Sequence, residues 1–180
     1  KALLEQLGRP YAAKCGSTLR KVSEGGGTCM SLSNAFVINF DKVAKEHVRY
    51  RKYPNRFKSC DALYKTNDGE CFFIEFKNGK TGNCGEKARA SLLIAMDLNI
   101  LRDLRDAQSR MTFILVYNEE KYPNESKSEN EINKDLMNDA NPQNSPTHIC
   151  KNLKWIFRDT IAYTAEEFDQ CFIKKIVPSC

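Results

Sequence analysis

The chain has 180 residues, of which 41% are hydrophobic and 28% charged, the proportions of one water-exposed globular domain with an ordinary core. No apolar run approaches a membrane span, and the opening residues do not read as a signal peptide. A net charge of +5 permits nucleic acid as a partner without requiring it.

In chain order, residues 2–22 read as helical, with Leu3, Leu4 and Leu7 on one side and Pro10 either breaking the helix or opening a second one. Gly25-Gly26-Gly27 reads as a flexible loop. It lacks the spacing of a phosphate-binding glycine motif, and no Gly-Lys-Ser/Thr follows. The run from Ala35 to Phe40 is β-prone and predicts a strand to about Phe40, followed by a helical turn over Asp41–Val48. Next comes a basic cluster of Arg49, Arg51, Lys52, Arg56 and Lys58, interleaved with Tyr50 and Tyr53. Such a patch either holds phosphates or is a solvated loop.

Two apolar β-prone runs then flank Asn67-Asp68-Gly69, a strong hairpin signal. With those three residues as the loop, Thr66 faces Glu70 and Asp61 faces Glu75. Directly opposed residues share a face, with Cβ atoms about 5 Å apart. Lys77 points the same way as Glu75. Phe72, Ile74 and Phe76 line one face of the second strand; Cys71 and Phe73 precede Glu75 and Lys77 on the other. A strand apolar on both faces is central in a covered sheet, where charges are costly unless paired or holding a metal. Two close carboxylates suit Mg²⁺ or Mn²⁺, hard cations that take oxygen ligands. A neighbouring lysine suits a role in orienting water or stabilising charge at phosphorus. The competing reading is an ordinary Glu75–Lys77 ion pair at the strand end, with Asp61 only a hairpin residue.

After Lys77, Gly79, Gly82 and Gly85 predict a turn-rich loop. Residues 86–106 predict one helix with Leu92, Leu93, Met96, Ile100, Leu101 and Leu104 on a broad apolar face. Lys87 and Arg89 in its first turn are read as facing water, with phosphate contact the alternative. Met111–Tyr117 predicts a buried strand, and the strand–helix–strand order implies a parallel crossover. The polar stretch at about 118–147 predicts an insertion, with a short helix at 130–138. Leu153–Tyr163 predicts a strand around Trp155, Ile156 and Phe157. Thr164-Ala165-Glu166-Glu167 is a capping box opening a last helix with Phe168, Phe172 and Ile176.

The cysteines (Cys15, Cys29, Cys60, Cys71, Cys84, Cys150, Cys171 and Cys180) form no C-x-x-C pair, and His47 and His148 are the only histidines; zinc is poorly supported. Several thiols fall in apolar patterns, which predicts reduced cysteines and a cytoplasmic protein.

Asp61 together with the later Glu75-Phe76-Lys77 resembles the motif of the PD-(D/E)XK nuclease superfamily. The resemblance implies a restriction-endonuclease-like core, a central mixed β-sheet flanked by helices, in one α/β domain over 1–180. It implies that Asp61 and Glu75 are metal ligands for Mg²⁺ or Mn²⁺ and that Lys77 is the catalytic lysine in phosphodiester hydrolysis of nucleic acid. Cys60 stands at the proline position before the aspartate. The family's accessory acid on an early helix falls on Glu46, Glu5 or neither, and both are read as surface residues. The alternative is an inactive module of this fold that binds a protein partner, as an immunity or regulatory protein does. An enzyme predicts an open cleft exposing Asp61, Glu75 and Lys77; a binding module predicts a blocked site or dispersed residues.

Overall fold

The computed structural model describes residues 11, 14–25, 28–122 and 145–176. The expected helix over 2–22 is corrected where it can be seen. Gly16–Thr18 is instead a strand, β1, and only Leu19–Ser23 (α1) is helical, opened by Thr18, whose hydroxyl accepts from the Lys21 N–H. The first ten residues, with Glu5, lie outside the described residues. A short antiparallel ribbon follows, β2 (Glu24–Gly25) with β3 (Thr28–Cys29).

β4 (Phe36–Asn39) runs directly into α2 (Phe40–Arg51), as the β-prone run and the helical turn after it predict. Asn39 ends one element and caps the next, accepting from the Lys42 N–H. Lys52, in the left-handed region at φ 56°, closes α2. β5 (Ala62–Lys65) and β6 (Cys71–Lys77) form the expected hairpin in the expected register: Ala62 pairs with Ile74, Leu63 with Phe73, and Lys65 with Cys71. The Thr66 N–H donates to the Glu70 carbonyl at 2.9 Å across the turn. Gly69 supplies the positive φ (97°) that the reversal requires.

The single helix expected over 86–106 is two. α3 spans Cys84–Asp97 and α4 spans Leu104–Arg110. Asn99 turns left-handed at φ 55°, and the Ile100 N–H folds back onto the Ala95 carbonyl at 2.9 Å. Asp103 then caps α4 by accepting from the Asp106 N–H at 2.8 Å. The apolar face shrinks accordingly. Leu92, Ile100 and Leu101 are buried, whereas Leu93 is 67% exposed and Leu104 is on the surface.

β7 (Met111–Tyr117), buried throughout, pairs parallel to β6, which bears out the crossover. A 3₁₀ turn at Glu119–Lys121 follows. The short helix expected at 130–138 lies outside the described residues. Pro146–Leu153 is helical (α5), and the strand expected from Leu153 begins only at Asp159. Trp155 sits in the intervening turn and is 65% exposed, while Ile156 and Phe157 bury beneath it. β8 (Asp159–Thr164) adds parallel to β7. The Thr164–Glu167 capping box forms and opens α6 (Ala165–Glu167). A widened π segment (Phe168–Ile173) and α7 (Lys174–Ile176) continue it.

The result is an α/β fold with a six-stranded mixed sheet in the order β1-β4-β5-β6-β7-β8, an arrangement consistent with a restriction-endonuclease-like core. β6 is central and covered on both faces. Phe72, Ile74 and Phe76 pack with Ile114, Val116, Phe168 and Phe172. Cys71 and Phe73 pack on the other face with Phe40, Phe113, Leu92 and Phe157, from β7, α2, α3 and the turn before β8. No helix among the described residues is long and apolar enough to cross a membrane.

One partly buried ion pair fastens the α3–α4 corner. Asp106, 5% exposed, accepts from Arg110 Nε (2.9 Å) and Nη2 (2.8 Å) and from the Arg102 N–H (3.0 Å). The Arg110 hydrogen bonds hold its carboxyl well below the usual carboxylate range, against the opposing effect of burial. Since the folded-state pKa lies below the unfolded value of about 3.9, this stabilisation is complete at neutral pH. It fades as the medium is acidified below about pH 4. Urea midpoints at pH 7 and pH 3 should therefore fall further for the wild type than for Asp106→Asn, which no longer has that carboxylate to protonate. Equal losses would remove Asp106 from the acid response.

Candidate functional site

The hairpin register sets up the site. Pairing between β5 and β6 ends at Ala62 and Ile74, so beyond that point β6 has no backbone partner on this side. The Asp61 carboxylate takes over: its Oδ2 accepts from the Phe76 N–H at 2.7 Å. Glu75 lies on the face turned to α3, and Lys77 follows it, with Nζ 3.2 Å from Glu75 Oε1. Asp61, Glu75 and Lys77 thus come together as the spacing predicted.

The expectation that Lys87 faces water is corrected. Its Nζ lies 2.7 Å from Glu75 Oε1 and 3.5 Å from Asp61 Oδ1, so one ammonium reaches both carboxylates. The physical reason is topological. The chain leaves β6 at Lys77 and returns as α3, whose first turn comes to rest over the same face of the strand. Arg89, two positions on, is exposed as expected.

Glu75 is fully buried, while Asp61, Lys77 and Lys87 are each about one-sixth exposed, at 18%, 17% and 16%. The three residues sought in an open cleft are therefore gathered but sheltered. Glu75 Oε1 serves both lysines, and Glu75 Oε2 is buried with no hydrogen-bond partner. Burial, then the charge of Asp61, pushes the Glu75 carboxyl up to about 7 against the pull of Lys87 and Lys77. Burial raises Asp61 as well, with Lys87 and the Phe76 N–H opposing. Burial alone would lower Lys87; Glu75 and then Asp61 outweigh it and hold the ammonium above its ordinary value. The nearby Cys84 thiol is pushed up to about 12, first by burial and then by Glu75, so it stays protonated and ill suited to ligate a cation.

Of the two early acids, Glu5 lies outside the described residues and Glu46 is engaged away from the cluster. Glu46 faces Lys14 at 3.4 Å and Arg49 at 3.9 Å. Asp41, in the first turn of α2, is the acid whose charge Asp61 and Lys87 both feel. The Phe40 N–H donates to the Asp61 carbonyl at 3.0 Å, which draws the start of α2 to the site, and the Ser59 hydroxyl holds Asp41 at 2.6 Å. Among the described residues no three His, Cys, Asp or Glu side chains converge to hold a metal ion. Any cation would rest on Asp61 and Glu75 with other oxygens completing its shell.

Residues 51–58 run exposed from α2 into Ser59, Cys60 and Asp61. Tyr50 (67% exposed), Tyr53 and Phe57 stand out beside Arg49, Lys52 and Arg56. Part of this charge is internally matched, Arg51 by Asp97 at 3.1 Å and Lys58 by Glu86 at 2.7 Å. The chain matches no protein-family model, no curated protein and no solved structure.

Proposed function

We propose that this protein is a metal-dependent nuclease-like hydrolase acting on phosphodiester bonds in nucleic acid. The observation that carries the reading is the convergence of Asp61, Glu75 and Lys77 with a Glu75 oxygen left without a partner; their shelter from solvent is what the binding module predicts. The donor set fits a hard divalent cation: two carboxylates on one face, one buried oxygen unsatisfied, and an ammonium already drawn to the point between them. Asp61 and Glu75 are the residues that would hold Mg²⁺ or Mn²⁺. Bound there, the ion would polarise the phosphate and lower the pKa of a water. Lys77, braced by Glu75, orients the attacking water or neutralises charge developing at phosphorus. Phe73, on the same face of β6 as Glu75, keeps bulk water from that side of the cluster, which strengthens each interaction.

The exposed basic and aromatic surface before Asp61 supports nucleic acid as the partner, through phosphate contacts and base stacking. Replacing Arg49, Lys52 and Arg56 together by Ala should weaken oligonucleotide binding. The slope of log affinity against log salt should become shallower by about 0.7–0.9 for each phosphate that the variant no longer neutralises. Fluorescence anisotropy in EDTA reads this without cleavage, and an unchanged slope would assign the patch to solvent. No disulfide joins the described cysteines Cys15, Cys29, Cys60, Cys71, Cys84, Cys150 and Cys171, which supports a reducing compartment and with it the cytoplasm.

A second reading has its own support. Glu75 is fully buried and Lys87 sits against both carboxylates, as in a structural ion cluster of an inactive module that binds a protein. A nuclease assay in Mn²⁺ on the wild type and on Asp61→Ala, Glu75→Ala and Lys77→Ala separates the two. Cleavage by the wild type alone supports the enzyme. Equal residual activity in all four proteins reflects contamination and defeats it.

A further inference from the structure

We propose that Lys87 is the resident cation of this site, occupying the position between Asp61 and Glu75 that a divalent ion would take, so that metal binds only by displacing it. The inference rests on the metal reading above and assigns Lys87 the role of setting the site's affinity for the ion.

Three observations carry it. Among the described residues, Lys87 supplies the ammonium that reaches both carboxylates, at 2.7 Å from Glu75 and 3.5 Å from Asp61. Lys77 pairs with Glu75 Oε1, at 3.2 Å. Glu75 Oε2 remains buried and without a partner, so the lysine does not exhaust the coordinating capacity of the acid that it neutralises. A partly buried ammonium and a divalent ion repel strongly at such range, and both cannot stay against the same carboxylate oxygens. Lys87 is placed to yield. It lies in the first turn of α3, just beyond the loop from Asn78 to Asn83, its side chain is 16% exposed, and its long flexible stem reaches solvent without unwinding the helix. A purely structural counter-ion predicts the opposite consequence of its removal: two uncompensated acids in a loosened site that binds metal no better.

Isothermal titration of Mn²⁺ into the full chain tests this, comparing wild type with Lys87→Met, Lys77→Met, Glu75→Gln and, as an exposed control on the same helix, Arg89→Ala. Lys87→Met should bind Mn²⁺ about tenfold or more tightly than wild type. Lys77→Met should gain less, and Arg89→Ala should not differ. Wild-type binding that is abolished by Glu75→Gln but equal or weaker in Lys87→Met overturns this proposal and leaves the metal reading intact. No binding in either wild type or Lys87→Met overturns both. A second measurement needs no variant at the site. In wild type, labelling of Lys87 by an acetylating reagent, read by peptide mass spectrometry, should rise several-fold in saturating Mn²⁺. Labelling unchanged at saturation overturns the displacement.

Discussion

Glu75→Gln should lower Mn²⁺-dependent phosphodiester cleavage about a thousandfold, the rate equivalent of roughly 4 kcal/mol of lost charge stabilisation. The substitution keeps the volume of a fully buried side chain and an oxygen able to accept from Lys87, so β6 and its packing persist. The charge that would hold a cation and brace Lys77 is lost. Asp61 is then left alone, and it already spends one oxygen on the Phe76 N–H. Initial rates on a labelled oligonucleotide, with a thermal melt to establish that the variant is folded, read the effect. A folded Glu75→Gln that cleaves at the wild-type rate would reduce the cluster to an internal ion pair and transfer support to the binding-module reading.

Phe73→Ala should cost about 3–5 kcal/mol of stability. Phe73 is completely buried, packed edge-on against Phe40 at 4.9 Å between ring centres and against Phe157 at 6.5 Å. It stands at the middle of β6, and its ring joins α2 to the turn before β8, so the cavity left behind has rigid walls on several sides and little means of collapsing. Urea unfolding should show the loss as a lower midpoint with an unchanged slope. Phe57→Ala provides the contrast: its ring is 39% exposed against Tyr53, and its removal should shift stability by no more than about 1 kcal/mol. Similar losses for the two would contradict the placing of the core. Because Phe73 and Glu75 share a face, Phe73→Ala also tests whether activity depends on firm seating of that face.

The elements that the sequence placed correctly are those specified by local chemistry. Asn67-Asp68-Gly69 fixed the hairpin register because a three-residue turn with glycine at positive φ leaves one set of pairings. The alternation in Cys71–Lys77 assigned each side chain to its face, and Thr164 with Glu167 announced a helix start. The misplaced elements are those in which apolar content masked a break. Asn99 and Asp103 carry a stop and a start signal inside what reads as one apolar helix. Trp155, Ile156 and Phe157 look like strand residues, yet two bury beneath a turn while the third faces solvent. At the N-terminal end, Gly16–Thr18 is extended because β4 offers it an edge to pair with, and no local pattern reveals that.

The candidate site divides in the same way. Asp61, Glu75 and Lys77 were legible because two strands joined by a tight turn convert sequence spacing directly into spatial spacing. Lys87 and Asp41 were not, because each reaches the cluster through a helix whose placement depends on the whole sheet. Only when α3 folds back across β6 and the start of α2 is drawn to Asp61 do those charges meet. By itself, then, the sequence determined the paired acids and the lysine beside them. The tertiary structure alone decided how deeply Glu75 is buried and which ammonium stands between the carboxylates, since both follow from long-range packing of helices against a sheet and no residue's neighbours in the chain record it.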